Sequence, residues 1–184
     1  RIDRTEFKRP EIRSRFLATM GQAYSSLGLN RKSTELLKAS IEAIDNQPIS
    51  AESRSQRVES RIMLADVFYD MGSYDQAIAQ LDAITKTGEN PTIRQQVKLA
   101  NLLGKIETYR EKDVDAAASF NLALALIQGS AMSGEEYAME RADALSGLAL
   151  LAQFAGRHAE AEKGYAAAID LLLPVVGETH PLAI

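Results

Sequence analysis

At 184 residues, with 46% hydrophobic and 25% charged residues, the chain has the length and balance of one globular domain or a short repeat array, and a disordered class is excluded. A formal net charge of −4 gives no global electrostatic reason to bind nucleic acid, because phosphate neutralisation needs a basic face. No apolar run approaches the roughly 18 residues of a membrane span, so no membrane insertion is expected within these residues.

There is no cysteine, hence no disulfide, thiolate nucleophile or cysteine metal site. That composition suits cytosol and periplasm alike, and the cytoplasm is favoured. The chain starts at Arg1 and ends at Ile184, shortly after Pro181, and reads as a piece of a longer protein.

In chain order, RIDRTEFKR (residues 1–9) reads as the end of a preceding helix, stopped by Pro10, which in turn suits the first turn of a new one. From Ile12 to Leu27 apolar residues recur at helical spacing as Ile12, Phe16, Met20, Ala23 or Tyr24, and Leu27, and Gly28 stands where a left-handed C-cap belongs. Asn30 is the expected cap of a second helix carrying Leu36, Leu37, Ile41 and Ile44. After a polar loop around Pro48, the next helix carries Val58, Ile62, Leu64, Ala65 and Phe68 and ends at Gly72. Ser73 and Gln76 have capping-box spacing ahead of Ala77, Ile78, Leu81 and Ile84.

Thr87 to Asn90 reads as a turn, with Asn90 a cap and Pro91 at the first helical position. A third hairpin follows, with Ile93, Val97, Ala100, Leu103 and Ile106, the charged turn Arg110 to Asp113, then Ala116, Phe120, Ala123, Leu124 and Ile127. Ser133 and Glu136 suggest another capping box. The last pair is expected over Tyr137 to Phe154, broken at Gly156, and Ala159 to Leu173, stopped by Pro174. Eight helices and no strand alternation give an all-α chain.

The stretch from Ser14 to Asp45 recurs about four times, and self-similarity at a fixed period marks a solenoid of hairpins. Leu17, Met20-Gly21, Tyr24, Gly28, Ser33 and Leu37 correspond to Leu64-Ala65, Phe68, Gly72, Ala77 and Leu81, to Leu103-Gly104, Ala116 and Phe120, and to Leu148-Ala149, Ala152, Gly156, Ala161 and Tyr165. This pattern resembles the tetratricopeptide repeat (TPR) family, which implies four hairpins in a right-handed superhelix. The third repeat departs from it, with Glu107 and Glu111 where the family has an aromatic residue and a glycine. Gly21, Ala65, Gly104 and Ala149 are spaced by 44, 39 and 45 residues, against about 34 in the standard repeat. The surplus, and the tail from His158 to Ile184, resemble the longer repeats of kinesin light chains and their bacterial relatives. Residues 1–29 are similar to TPR arrays that follow catalytic domains of bacterial serine/threonine kinases, although no kinase motif is present; attachment to a membrane-anchored kinase of that kind would imply the periplasm. The chain is thus expected to be a single array with repeats near 11–45, 51–86, 91–128 and 134–173, and a further repeat or linker starting at 174–184.

Catalytic chemistry finds little support. His158 and His180 lie on different elements without partners at metal-ligand spacing. Glu135-Glu136, and Glu160 with Glu162, sit at helix starts, where the dipole accounts for them. Gly129 to Gly134 follows no strand, so it is no phosphate loop. Neither a metal nor a cofactor is expected. The alternating charges of the first 15 residues read as a solvated face, and Tyr24, Phe68, Phe120 and Tyr165 as core.

Binding is the function that the resemblance implies, because a TPR stack presents a concave groove lined by the first helix of each hairpin. Carried across residue by residue, that face is Arg15, Ala18, Gln22 and Ser26; Glu59, Ile62, Asp66 and Asp70; Lys98, Asn101, Lys105 and Tyr109; and Asp143, Ser146, Leu150 and Phe154. The carboxylate clamp of TPR co-chaperones is absent, since Ala18, Gln22, Ser26, Glu59 and Met63 stand in its place. Two readings follow: a module that holds a partner polypeptide in its groove, or a regulatory, self-associating array of a bacterial signalling protein such as a kinase. Terminal repeats lack neighbours, so apolar surface at the ends makes a homodimer an expectation.

Overall fold

The computed structural model describes residues 9–45, 50–130 and 134–176. Among these lie eight α-helices: α1 (Pro10–Ser26), α2 (Asn30–Asp45), α3 (Ala51–Asp70), α4 (Tyr74–Lys86), α5 (Ile93–Tyr109), α6 (Asp113–Gln128), α7 (Ala138–Phe154) and α8 (His158–Val176). A 3₁₀ turn, Gly134–Tyr137, precedes α7. The chain is all-α, as its periodicity indicates, and none of these helices is long and apolar enough to cross a membrane. It divides into two compact units, Arg1–Gln95 and Gln96–Ile184.

All four hairpins turn by the same device. The N–H groups of Leu29, Ser73, Lys112 and Arg157 each donate to the carbonyl five residues back, at Tyr24, Phe68, Glu107 and Ala152. The residue before each of them is left-handed: Gly28 (φ 72°), Gly72 (φ 69°), Glu111 (φ 58°) and Gly156 (φ 73°). This is the Schellman closure, which consumes orphan carbonyls at a helix end. Glu111 therefore occupies the glycine position of the third repeat, and its place seven residues after Gly104 puts that repeat in register with the others.

The turn geometry also overrides two expected caps. Ser73 has ψ 59° and its side chain makes no cap bond, because a capping residue needs extended backbone and the Schellman turn has already bent it. Ser50, at ψ 164°, does accept from Ser53 N–H. Asn30 is the first residue of α2 rather than the residue before it, with Ser33 N–H bonded to Leu29 O. The helix expected from Pro91 starts at Ile93 instead. Thr92 Oγ1 accepts from Gln95 N–H at 3.3 Å while Gln95 Oε1 accepts from Thr92 N–H at 3.1 Å, a reciprocal capping box. Ser133 lies outside the described residues. Pro174 does not stop α8, which runs on to Val176: proline removes only the bond to the carbonyl four residues back, so one more turn can follow.

In the first unit, α1 meets α2 where Gly21 lets Leu37 approach; a Cβ at Gly21 would stand 2.8 Å from Leu37 Cγ. Ser33 Oγ donates to Gly21 O at 2.7 Å. Ser14, Ser40 and Ser60, all fully buried, join α1, α2 and α3 through hydroxyl contacts of 2.9 Å at each step. Small hydroxyl residues admit close helices and satisfy one another, which an isolated buried hydroxyl could not do. Leu17, Leu37, Val58, Leu64, Phe68, Ala77 and Ile84 are buried in this unit. In the second unit, Val97, Ala116, Phe120, Ala123, Tyr137, Ala144 and Leu151 form one apolar cluster. Phe120 fills the gap between α5 and α7, where Gly104 and Gly147 make room for its ring.

Two apolar expectations are corrected. The buried face of α1 is Ser14, Leu17, Ala18 and Gly21, while Ile12 and Phe16 are exposed on the opposite side. Tyr24 and Tyr165 are half-buried rather than core, the Tyr165 hydroxyl contacting Gln153 Oε1 at 3.1 Å.

Candidate partner-binding face

In the first unit, the packing of α1 and α3 leaves a polar strip. Arg15 is exposed and its guanidinium pairs with Glu52 on α3. Gln22 and Ser26 are exposed one turn apart, and Ser26 Oγ donates back to Gln22 O at 3.1 Å. Ala18 and Ile62 are buried and contribute nothing to the surface. On α3, Asp66 and Asp70 are exposed on one face, separated by the four residues that stack side chains along a helix. Glu59 is half-buried and its Oε2 receives a 3.3 Å bond from Gln95 Nε2.

Gln95 lies beneath the surface, 5% exposed. The same amide also donates to Ser55 O at 2.9 Å. Its only sequence signal is the Thr-x-x-Gln spacing from Thr92. Arg57 was equally hidden. It is 7% exposed and bonds Asp45, at the end of α2, at 3.1 Å, together with Glu89 in the stretch after α4. Burial works against its charge, but the bonds to Asp45 and Glu89 outweigh that and hold its pKa above the ordinary arginine value.

In the second unit, Asn101 is buried at 3% exposure, its Nδ2 donating to Glu140 O at 2.8 Å. It belongs between α5 and α7, not on an open surface, which corrects its place in the expected groove. Lys98 is half-buried. Lys105 Nζ pairs with Asp143 Oδ2 at 2.9 Å, again from α5 to α7. Ser146 and Leu150 are half-buried, whereas Tyr109 and Phe154 are 55% and 64% exposed. Ser26, Asp70, Tyr109 and Phe154 each follow the small packing residue of their repeat by five positions and end their first helices.

Arg15 and Glu59 in the first unit, and Asn101 and Lys105 in the second, bond from one first helix to the next. Gln22, Ser26, Asp66 and Asp70 are exposed in the first unit, and Tyr109 and Phe154 in the second. Among the described residues no group of three His, Asp or Glu side chains could hold a metal ion.

The hairpins, their repeated closure and their small-residue packing define an all-α helical-repeat chain that fits the tetratricopeptide type. No protein family and no curated protein matches it in sequence. Among solved structures it is similar to one titled MamA AMB-1 C2221, at 23% identity over 84% of this chain and 76% of that one, with a TM-score of 0.48.

Proposed function

We propose that this chain is a protein-interaction module, without catalysis of its own, that holds a partner polypeptide against the exposed face of its first helices. The observation that carries the reading is the repeat position occupied by Ser26, Asp70, Tyr109 and Phe154. Positions used for packing stay small or apolar from hairpin to hairpin, as Gly21, Ala65, Gly104 and Ala149 do. This exposed position instead changes from hydroxyl to carboxylate to aromatic. Packing does not fix that position, so a partner laid along these helices would meet a different side chain at each one.

Exposed aromatics with two rotatable bonds supply contact area at low entropic cost, so Tyr109 and Phe154 are the expected anchors for apolar side chains of the partner. Asp66 and Asp70 would favour a basic stretch. The test is co-precipitation of partners by the chain and by two variants, D66K/D70K and Y109A/F154A. Either should weaken capture at least tenfold while the helical circular dichroism is unchanged. Equal capture by both variants would refute the assignment of this face.

A further inference from the structure

The second helix of each hairpin turns one side away from its core, and that side is charged on three of the four. Counting from the buried Ser33, Ala77, Ala116 and Ala161, the positions two before, two after and nine after are all exposed. They hold Arg31, Glu35 and Glu42 on α2, Asp75, Ala79 and Lys86 on α4, and Ala159, Lys163 and Asp170 on α8. On α6 the same three are Val114, Ala118 and Ala125. Leu122 completes the stripe, and Val114 and Leu122 are 83% and 54% exposed. This stripe lies diametrically opposite the buried Ala116, Phe120, Ala123 and Ile127, and no charged residue occurs between Asp115 and Glu135. A helix apolar on both sides is ordinarily covered on both, yet α6 is covered on one.

We propose that this stripe is the contact between two copies of the chain, α6 packing antiparallel on α6 about a two-fold axis. Two properties point to a copy as the occupant. The first is size. A small residue, Ala118, and a large one, Leu122, stand one turn apart, so an antiparallel pair centred near residue 120 lays Leu122 of each copy over Ala118 of the other and Val114 beside Ala125. A surface that fits itself in this way is what an isologous contact requires. Asn121, exposed at the margin of the stripe, comes near its own counterpart at the axis, where one amide donates and the other accepts. The second property is charge. The acidic residues nearest the stripe are Asp113 and Asp115, at the start of α6. Parallel helices would bring all four carboxylates together. The antiparallel pair separates the two Asp115 positions by roughly 15 Å along the axis, at 1.5 Å per residue, beyond the screening length of about 8–10 Å. Placed on their own copies, the outer sides of α2, α4 and α8 would instead bury charges. One helix face per copy is a contact below the roughly 1,200 Å² of standard interfaces, so the dimer is weak and forms with rising concentration.

Light scattering on the 184-residue chain tests it. With concentration the mass should climb from one chain towards two and no further, and high salt should not reduce it, because the contact is apolar. L122K and A118E, both at exposed positions, each set like charges a turn apart across the axis, and each variant alone should be a monomer where the wild type is a dimer. Mixed in equal amounts they should restore a dimer containing one of each, because the introduced ammonium then lies over the introduced carboxylate. That recovery also shows that both variants fold. E42R, on the outer side of α2, should leave the mass unchanged. A dimer that persists in L122K, a mixture that stays monomeric, or an equal loss in E42R would overturn the proposal. So would a wild-type chain that stays monomeric throughout, which would leave the α6 stripe to a different polypeptide.

Discussion

The ring of Phe120 on α6 sits so close to the backbone of Gly147 on α7 that a single added methyl group would overlap it. On α5, Gly104 is nearly as tight, with a Cβ there placed 2.8 Å from Phe120 Cε1. G147A gains roughly 1 kcal/mol of helix propensity but overpacks a filled core, which costs about 1–3 kcal/mol. The ring is 1% exposed and has nowhere to swing, so the loss should win. We expect G147A to lower the thermal midpoint by a few degrees. F120L should cost stability alone yet relieve G147A, so that the double variant loses less than the two singles combined.

Glu111 does a glycine's work at φ 58°. A side chain in the left-handed region costs about 1–2 kcal/mol. E111G should therefore raise the thermal midpoint, offset in part by the greater freedom of glycine in the unfolded chain. The converse change at the equivalent turn, G28A, should lower it. If E111G is neutral or destabilising, the Glu111 side chain contributes more than its backbone strain removes.

Arg57 holds Asp45 and Glu89 together, and Glu89 is itself 8% exposed. Replacing Arg57 by Met strands a buried carboxylate, a loss of about 3–5 kcal/mol. R57K should recover only part of it, because an ammonium cannot form the guanidinium fork. Replacing both partners, as R57M/E89L, should cost less than R57M alone. The sign of the pH effect follows from the raised pKa: the stabilisation by a cation is complete below its unfolded value, far above neutral for arginine, and lost only above its folded one. Urea midpoints between pH 7 and 10 should show no release of this contribution.

Helix ends marked by backbone chemistry were legible one residue at a time. Pro10, Gly28, Gly72 and Gly156 act through their own φ preferences, and the structure uses each where the sequence places it. Ser73 failed as a cap for the same local reason, since the turn before it dictates its ψ. Thr92 and Gln95 carry the capping signature in their spacing and start α5 two residues after the point that Asn90 and Pro91 suggest.

The candidate site was less legible because exposure depends on neighbours far along the chain. Gln22, Ser26, Asp66 and Asp70 face solvent as the repeat pattern implies. Asn101 is polar and occupies the same kind of position, yet Glu140, 39 residues later, claims its amide and buries it. Arg57 and Gln95 reveal themselves only when α2, α3 and the stretch after α4 come together.

The sequence by itself determined that this protein is a series of helical hairpins and where each one turns, because those properties reside in single residues and short spacings, while the repeat marked Gly21 and Gly104, but not Gly147, as places of close approach. Only the tertiary structure decided which side of α1 is core. Its apolar residues satisfy helical periodicity on two faces, and the choice fell to the one whose serine could bond another serine, Ser14 to Ser40, across the interface. That choice left Ile12 and Phe16 outside, a consequence of packing that no local pattern contains.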